Sequence, residues 1–281
     1  MNYRHAFHAG NFADVLKHWI LLAILDRLGA KAKPFFVLDT HAGGGFYDLA
    51  REASGRTGEA AAGIGRLIPV PDDAPDSLRP YLAAIARLNA GEASLRWYPG
   101  SPYLVAERLR EQDRLVACDL EEGEGKTLAE TLAPYGRAKA HWGDGYAAIP
   151  SMLPPAERRG LVLIDPPFER RDEFDQMGRA ATLGLKHFET GLFALWYPLK
   201  DGAAVDRFLT GLPTVKGGLA AVELAVEAPQ ADGRLTACGM ALFNPPYGLF
   251  ETIENDLPWL VARLAQGPGA TGAIRWRHPP A

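Results

Sequence analysis

Leu161-Val162-Leu163-Ile164-Asp165-Pro166-Pro167-Phe168 joins four apolar residues to an acid and a rigid proline turn. Four consecutive apolar residues leave no face for water, the pattern of a strand buried on both sides. The pattern recurs along the chain. Phe35-Phe36-Val37-Leu38 ends at Asp39 and opens into Thr40-His41-Ala42-Gly43-Gly44-Gly45; Leu115-Val116-Ala117-Cys118 ends at Asp119; Leu192-Phe193-Ala194-Leu195-Trp196 runs into Tyr197-Pro198. Helical periods lie between these runs. Asn11 to Leu28 places Phe12, Val15, Leu16, Trp19 and Ile20 at helical spacing, with Asn11 as N-cap and Gly29 as stop. Buried strands alternating with helices predict an α/β fold around a parallel sheet, with a ligand crevice at the carboxyl ends of its strands.

Further along, Leu219 to Val226 and Cys238 to Phe243 are joined by the polar loop Glu227 to Arg234, which predicts an antiparallel hairpin at the sheet edge. Ala50 to Gly100 breaks the alternation: it holds Pro69, Pro71, Pro75 and Pro80, a helical pattern from Asp76 to Asn89 and no buried strand, so 53–96 reads as a helical insertion. The expected organisation is one domain over residues 1–281, opening with a motif and helix over 1–33. The tail from Gly267 to Ala281 is too short to be a domain.

At 281 residues, with 47% hydrophobic and 23% charged side chains, the chain can bury a sizeable core, which excludes disorder. No apolar run approaches the ~20 residues needed to span a bilayer. The first eight residues carry Arg4, His5 and His8 in place of an apolar leader, so the expected location is cytoplasmic, with no membrane partner. Cys118 and Cys238 lie in strand-like stretches without metal-ligand spacing and read as core thiols; no metal site is expected. A net charge of -4 argues against a non-specific nucleic-acid coat. Residues 1–33 nevertheless set Arg4, Lys17, Arg27, Lys31 and Lys33 against Asp14 and Asp26.

Asp165-Pro166-Pro167-Phe168 is the sharpest motif, yet Asn244-Pro245-Pro246-Tyr247 has the same form. Position arbitrates. Asp165 ends a strand in the middle of the parallel series, so catalysis is assigned there and a structural turn to Asn244. An exocyclic amine of a nucleobase is a poor nucleophile because its lone pair is delocalised into the ring. It becomes reactive when acceptors hold both N–H groups and let the nitrogen pyramidalise. Asp165 would accept one hydrogen and the Pro166 carbonyl the other, the prolines would stiffen the loop, and Phe168 would stack on the extruded base. The glycine turn after Asp39 lacks G-x-G-x-x-G, which disfavours a nicotinamide dehydrogenase. Asp119 is placed to take the ribose hydroxyls of a bound nucleoside. Asp144, within Gly143-Asp144-Gly145-Tyr146, suits an adenine amino group. Each acid also has a ligand-free explanation, since Asp is common after strands and Gly-Asp-Gly is an ordinary turn. The ordered set of four points to a class I, Rossmann-like S-adenosylmethionine-dependent methyltransferase acting on an amino nitrogen. On the first helix Asp14, Lys17 and His18 fall near one face, with Tyr3 and His5 on an arm before it.

The chain resembles the large-subunit ribosomal RNA methyltransferase J family, which N6-methylates one adenine of 23S ribosomal RNA. The resemblance rests on the segment from Tyr3 through Lys17-His18, on Asp39-Thr40-His41-Ala42-Gly43, Arg56-Thr57-Gly58-Glu59, Tyr98-Pro99-Gly100-Ser101-Pro102 and Arg110-Glu111-Gln112-Asp113. It continues through the D-P-P-F strand, Ala194-Leu195-Trp196-Tyr197-Pro198 and Asn244-Pro245-Pro246. It implies that His18, His41, Ser101, Asp119, Asp144 and Gly145 line an S-adenosylmethionine site, with Asp165 taking the amino hydrogen. Tyr3, His5 and Lys17 would lie on the substrate side, Lys17 also bordering the cofactor. It further implies 23S rRNA as partner; a monomer is the default expectation. Two positions depart from the family pattern: Asp119 is shorter than the expected Glu, and Phe168 replaces the commoner Tyr. DNA adenine or the N2 of an RNA guanine are rival substrates for the same D-P-P-F chemistry. A non-catalytic RNA-binding module, expected to lack Asp165 or the cofactor acids, and a nicotinamide oxidoreductase are rivals of other classes.

Overall fold

Side chains alternate across every central strand, so each strand feeds two cores. The computed structural model of the chain describes residues 8–52 and 58–280. In chain order its elements are α1 (Phe12–Gly29), β1 (Phe36–Asp39), β2 (Phe46–Asp48), α2 (Leu49–Glu52), α3 (Glu59–Ala62), α4 (Arg79–Leu88), β3 (Trp97–Pro99), α5 (Ser101–Ala106), β4 (Arg114–Asp119), α6 (Glu122–Leu132), β5 (Ala138–Trp142), α7 (Gly145–Met152), β6 (Gly160–Ile164), α8 (Glu173–His187), β7 (Leu192–Pro198), α9 (Gly202–Gly211), β8 (Leu219–Ala225), β9 (Ala237–Phe243), α10 (Leu249–Leu264) and β10 (Thr271–His278). The main sheet runs β10-β8-β9-β7-β6-β1-β4-β5. The five strands from β7 to β5 are mutually parallel, and β9, β8 and β10 continue antiparallel.

Phe35, Val37, Leu115, Ala117, Leu161 and Leu163 face one core with α1 and α10. Phe36, Leu38, Val116, Cys118, Val162 and Ile164 face the other with α7, α8 and α9. The expected α/β class, a Rossmann-like fold around a buried parallel sheet, is borne out. The α1 helix is apolar on nearly all sides because it covers the sheet while α4, α5 and α10 pack on it in turn. Each of its fully buried Leu and Ile side chains contributes about 1.5–3 kcal/mol. Asn11 caps the helix through Oδ1, which accepts the N–H groups of Ala13 and Asp14 at 3.0 Å each. No helix among the described residues is long and apolar enough to cross a membrane.

Three sequence expectations need correction. The Leu219–Phe243 hairpin is not the edge: β10, formed by the tail, pairs outside β8 in antiparallel register. Its alternation of half-buried and exposed residues carried too weak an apolar signal to read. The interval 50–100 does contain a largely buried strand, β3, which pairs with β2 as a separate two-stranded ribbon. Its three residues are too few for a periodic signal. Within the insertion the helix runs over Arg79–Leu88 rather than Asp76–Asn89, preceded by backbone bonds to Pro75 O. The proline supplies the first turn without belonging to the helix.

Candidate active site

Four acids gather at the carboxyl ends of neighbouring strands. Asp165 follows β6, Asp39 ends β1, Asp119 ends β4 and Asp144 follows β5, and these four strands are adjacent in the sheet. The chain leaves β1 toward β4 on one side and receives β6 on the other, so the crevice lies at a reversal of strand order.

Asp39 is fully buried. Its Oδ2 accepts the Ser101 hydroxyl at 2.6 Å, and its Oδ1 has no hydrogen-bond partner among the described residues. Burial lifts this carboxyl from 3.8 to about 6, with the Ser101 bond and the Lys17 charge pulling the other way. Ser101 opens α5 directly after β3, so the ribbon that the sequence concealed is what delivers this hydroxyl. Asp119 Oδ2 accepts the Gly43 N–H at 2.9 Å and Oδ1 the Glu121 N–H at 2.9 Å, tying the β4 end to the glycine turn. Asp144 caps α7 by accepting the Tyr146 N–H at 2.8 Å. Gly145 has a steric reason of its own: a Cβ there would lie 1.8 Å from Thr40 O. Only glycine lets the start of α7 close on the β1 turn.

His41 Nδ1 lies 2.8 Å from Thr40 Oγ1, and that hydroxyl donates to Leu163 O at 3.0 Å. Since the hydroxyl proton is used on the carbonyl, the imidazole carries its own proton on Nδ1 and presents Nε2 as an acceptor. Burial lowers His41 to about 4, so the ring is neutral at pH 7, despite the Asp165 and Asp144 charges that pull it upward.

Lys17 is the cation of the site. Its Nζ lies 2.8 Å from Asp14 Oδ1 and 2.5 Å from Asp165 Oδ2, and all three side chains are largely buried. Burial lowers the Lys17 pKa, but the two carboxylates more than reverse this and hold it well above the ordinary lysine value. His18, one residue on, is fully buried with Nδ1 2.9 Å from Tyr98 Oη, and Tyr98 is 2.9 Å from Tyr81 Oη.

Asp165, Pro166 and Phe168 line a pocket of 950 Å³ together with Lys17, Trp196 and Lys200. Phe168 has φ 52°, and its ring meets Phe174 at 4.9 Å and Trp196 at 5.8 Å, edge to face in both cases. The sequence singled out neither Trp196 nor Lys200 as site residues; both follow from the path of β7 beside β6. At the pocket mouth His8 Nδ1 lies 2.9 Å from Glu59 Oε2, which also accepts from Asn11 Nδ2 at 3.1 Å. The N-terminal segment and the Gly58-Glu59 turn, far apart in sequence, are thus bonded to each other. Tyr3 and His5, together with Arg4, Arg56 and Thr57, lie outside the described residues.

Two other motifs take structural places. Asn244 has φ 50° and donates through Nδ2 to Glu189 O and Gly191 O at 2.8 Å each. Because β9 runs antiparallel to β7, Asn244 sits at the opposite end of the strands from Asp165. Arg110 chelates Asp113 and donates to Gly29 O and Lys31 O, while Asp113 Oδ1 accepts the Phe35 N–H, so this motif clamps the α1–β1 connection.

Residues 32–278 match the family model described as Ribosomal RNA large subunit methyltransferase D, RlmJ. The chain is 40% identical over 281 residues to the Ribosomal RNA large subunit methyltransferase J of Haemophilus influenzae, and equally to that of Escherichia coli K12, covering 99% of this chain and 99% of each relative. It is also similar to the crystal structure of a Legionella pneumophila protein, with a TM-score of 0.88 and 34% identity over 96% of this chain and 98% of that one. By its sequence along nearly its whole length and by the sheet that carries its four acids, the chain belongs to the large-subunit ribosomal RNA methyltransferase J family.

Proposed function

We propose that the protein is a single-domain, monomeric, metal-independent enzyme that transfers the methyl group of S-adenosylmethionine to the N6 amino group of an adenine in 23S ribosomal RNA. The observation that carries this reading is the placement of Asp165 and Pro166 on the wall of a 950 Å³ pocket beside Phe168 and Trp196, at the strand end nearest Asp39. That volume admits an extruded purine. The relatives' names supply the RNA class.

The crevice fits S-adenosylmethionine on its own chemistry. Its sulfonium and amino groups are cationic and suit a site of four acids, one of which, Asp39, has a buried oxygen without a partner. The resemblance assigns His18, His41, Ser101, Asp119, Asp144 and Gly145 to this site. Asp119 would hold the ribose hydroxyls, Asp144 the adenine end, and His41 Nε2 would accept a hydrogen bond. When bound, the cofactor supplies an electrophilic methyl group.

The rest is done by the chain. Lys17 holds Asp165 through Oδ2 and fixes the carboxylate's orientation, leaving the other oxygen to accept one amino hydrogen. The Pro166 carbonyl accepts the second. With both hydrogens held, the nitrogen lone pair turns out of the ring plane toward the crevice, and the proton leaves the product ammonium through the pocket. Phe168, set by its neighbours Phe174 and Trp196, offers an aromatic surface for the base. Tyr3 and His5 belong to the substrate side by resemblance.

The test is transfer of labelled methyl from S-adenosylmethionine to 23S rRNA transcribed without modification, with nucleoside analysis and genomic DNA in parallel. N6-methyladenosine in the RNA alone is expected. Label in DNA or in guanosine, or none, overturns the substrate.

A further inference from the structure

Several surface arginines, Arg87, Arg96, Arg108, Arg114, Arg263 and Arg275, each meet a carboxylate. One cluster of surface cations does not. Between α8 and α9 lies a groove of 720 Å³ whose exposed cations are Arg171, Arg179, Lys186 and Arg207. Among the described residues none of the four has an ion-pair or hydrogen-bond partner, and one carboxylate, Asp175, shares the groove. A local charge of +3 in a chain of net -4 is a concentrated field rather than a random surface.

The groove and the pocket that holds Asp165 are linked by an aromatic contact, between Phe174 of the groove and Phe168 of the pocket. The groove's upper end follows directly from the D-P-P-F loop, and its lining residue Phe174 packs on Phe168 at 4.9 Å and on Phe208 at 5.0 Å. Arg179 and Lys186 are two helical turns apart and therefore on the same side of α8. From Glu173 to Lys186 the helix is about 20 Å long, the rise of roughly six stacked nucleotides along one strand.

We propose that this groove is the docking track for the phosphate backbone of the substrate RNA next to the target base, with Arg171, Arg179, Lys186 and Arg207 neutralising successive phosphates. The inference rests on the RNA substrate proposed above and adds the surface that holds it. Four unpaired cations over a shallow groove suit a flexible polyanion, because backbone contacts fix position without reading sequence. An acidic protein partner would offer carboxylates for the same cations and is the alternative outcome.

The test uses the full chain and a 23S rRNA transcript. Filter binding from 50 to 200 mM salt compares the parent protein with R179E/K186E and with the charge-keeping R179K/K186R. The reversal is expected to weaken RNA binding by at least ~10-fold at about 100 mM salt and to flatten the salt dependence by roughly two phosphate contacts. Binding of S-adenosylhomocysteine should stay unchanged, and R179K/K186R should bind like the parent. Unchanged affinity and salt slope in R179E/K186E would overturn the proposal and favour another partner. So would an equal loss in R179K/K186R, or a parallel loss of S-adenosylhomocysteine binding. Failure of the parent protein to methylate any RNA would instead sink the substrate reading, and this one with it.

Discussion

Lys17 Nζ lies 2.5 Å from Asp165 Oδ2 and 2.8 Å from Asp14 Oδ1, so one buried ammonium joins helix α1 to the end of β6 across 148 residues of sequence. Two carboxylates and one ammonium lie nearly out of water, and the ammonium is the partner that both carboxylates need.

Lys17→Met should therefore be far worse than loss of a surface ion pair. It leaves two buried carboxylates facing each other, and stability is expected to fall by about 3–5 kcal/mol, measured by urea unfolding at pH 7. Adding Asp14→Asn should recover part of that loss. A single variant within 1 kcal/mol of the parent would show that the triad is well solvated.

Asp165→Ala should leave the fold intact, since Lys17 still has Asp14. Methyl transfer is expected to fall by at least roughly 10²–10⁴-fold, while the Kd for S-adenosylhomocysteine changes only a few-fold. Single-turnover kinetics beside calorimetric titration separates the two. Substantial remaining turnover would remove Asp165 from the catalytic role.

Asp39 ties stability to pH. Its folded pKa, raised from 3.8 to about 6, means that the folded protein keeps a proton the unfolded chain releases. The contribution is full below pH 3.8 and is lost as pH rises through 6. Relative to Asp39→Asn, which has no such titration, the parent should lose roughly 2–2.5 kcal/mol between pH 4 and 7. His41 is present in both proteins and cancels from the comparison. A gap that stays constant with pH would contradict a buried, proton-binding Asp39.

Gly145→Ala sets a methyl against the Thr40 carbonyl, and backbone must move to admit it. Overpacking of this kind costs about 1–3 kcal/mol. The shift would also move Asp144 away from the β1 turn, so cofactor affinity should fall at least ~10-fold. An unchanged thermal midpoint with unchanged cofactor affinity would mean that α7 is loosely seated.

The two proline motifs should separate cleanly. Tyr247 is 99% exposed beyond the strand end opposite the crevice, so Tyr247→Ala should leave methyl transfer and stability unaltered. Asn244→Ala gives up two hydrogen bonds and puts at φ 50° a residue that tolerates the left-handed region less well than Asn, and is expected to cost roughly 2–3 kcal/mol without altering kcat. A drop in kcat for Tyr247→Ala would return this motif to the reaction.

The strands β1, β4, β6 and β7 were legible because strands buried on both faces must be apolar throughout, and that leaves a continuous mark in sequence. The acids closing β1, β4 and β6 were legible for the same reason: each marks where an apolar run meets the crevice. β5 left no such mark, since most of its residues remain in contact with water, and β10 and β3 were hidden by exposure and by shortness. The order and direction of the strands, and with them the distance between two similar proline motifs, were decided by tertiary pairing: one sits at the crevice and the other at the opposite end of the strands. So was the company each motif keeps. His18 meets Tyr98, Ser101 meets Asp39, Glu59 meets His8, and Lys17 meets Asp165 through contacts 48 or more residues apart. Local sequence sets which residues can be buried, because burial is a property of a stretch of chain. Which buried charge faces which depends on how distant stretches close over one another, and only the folded sheet fixes that.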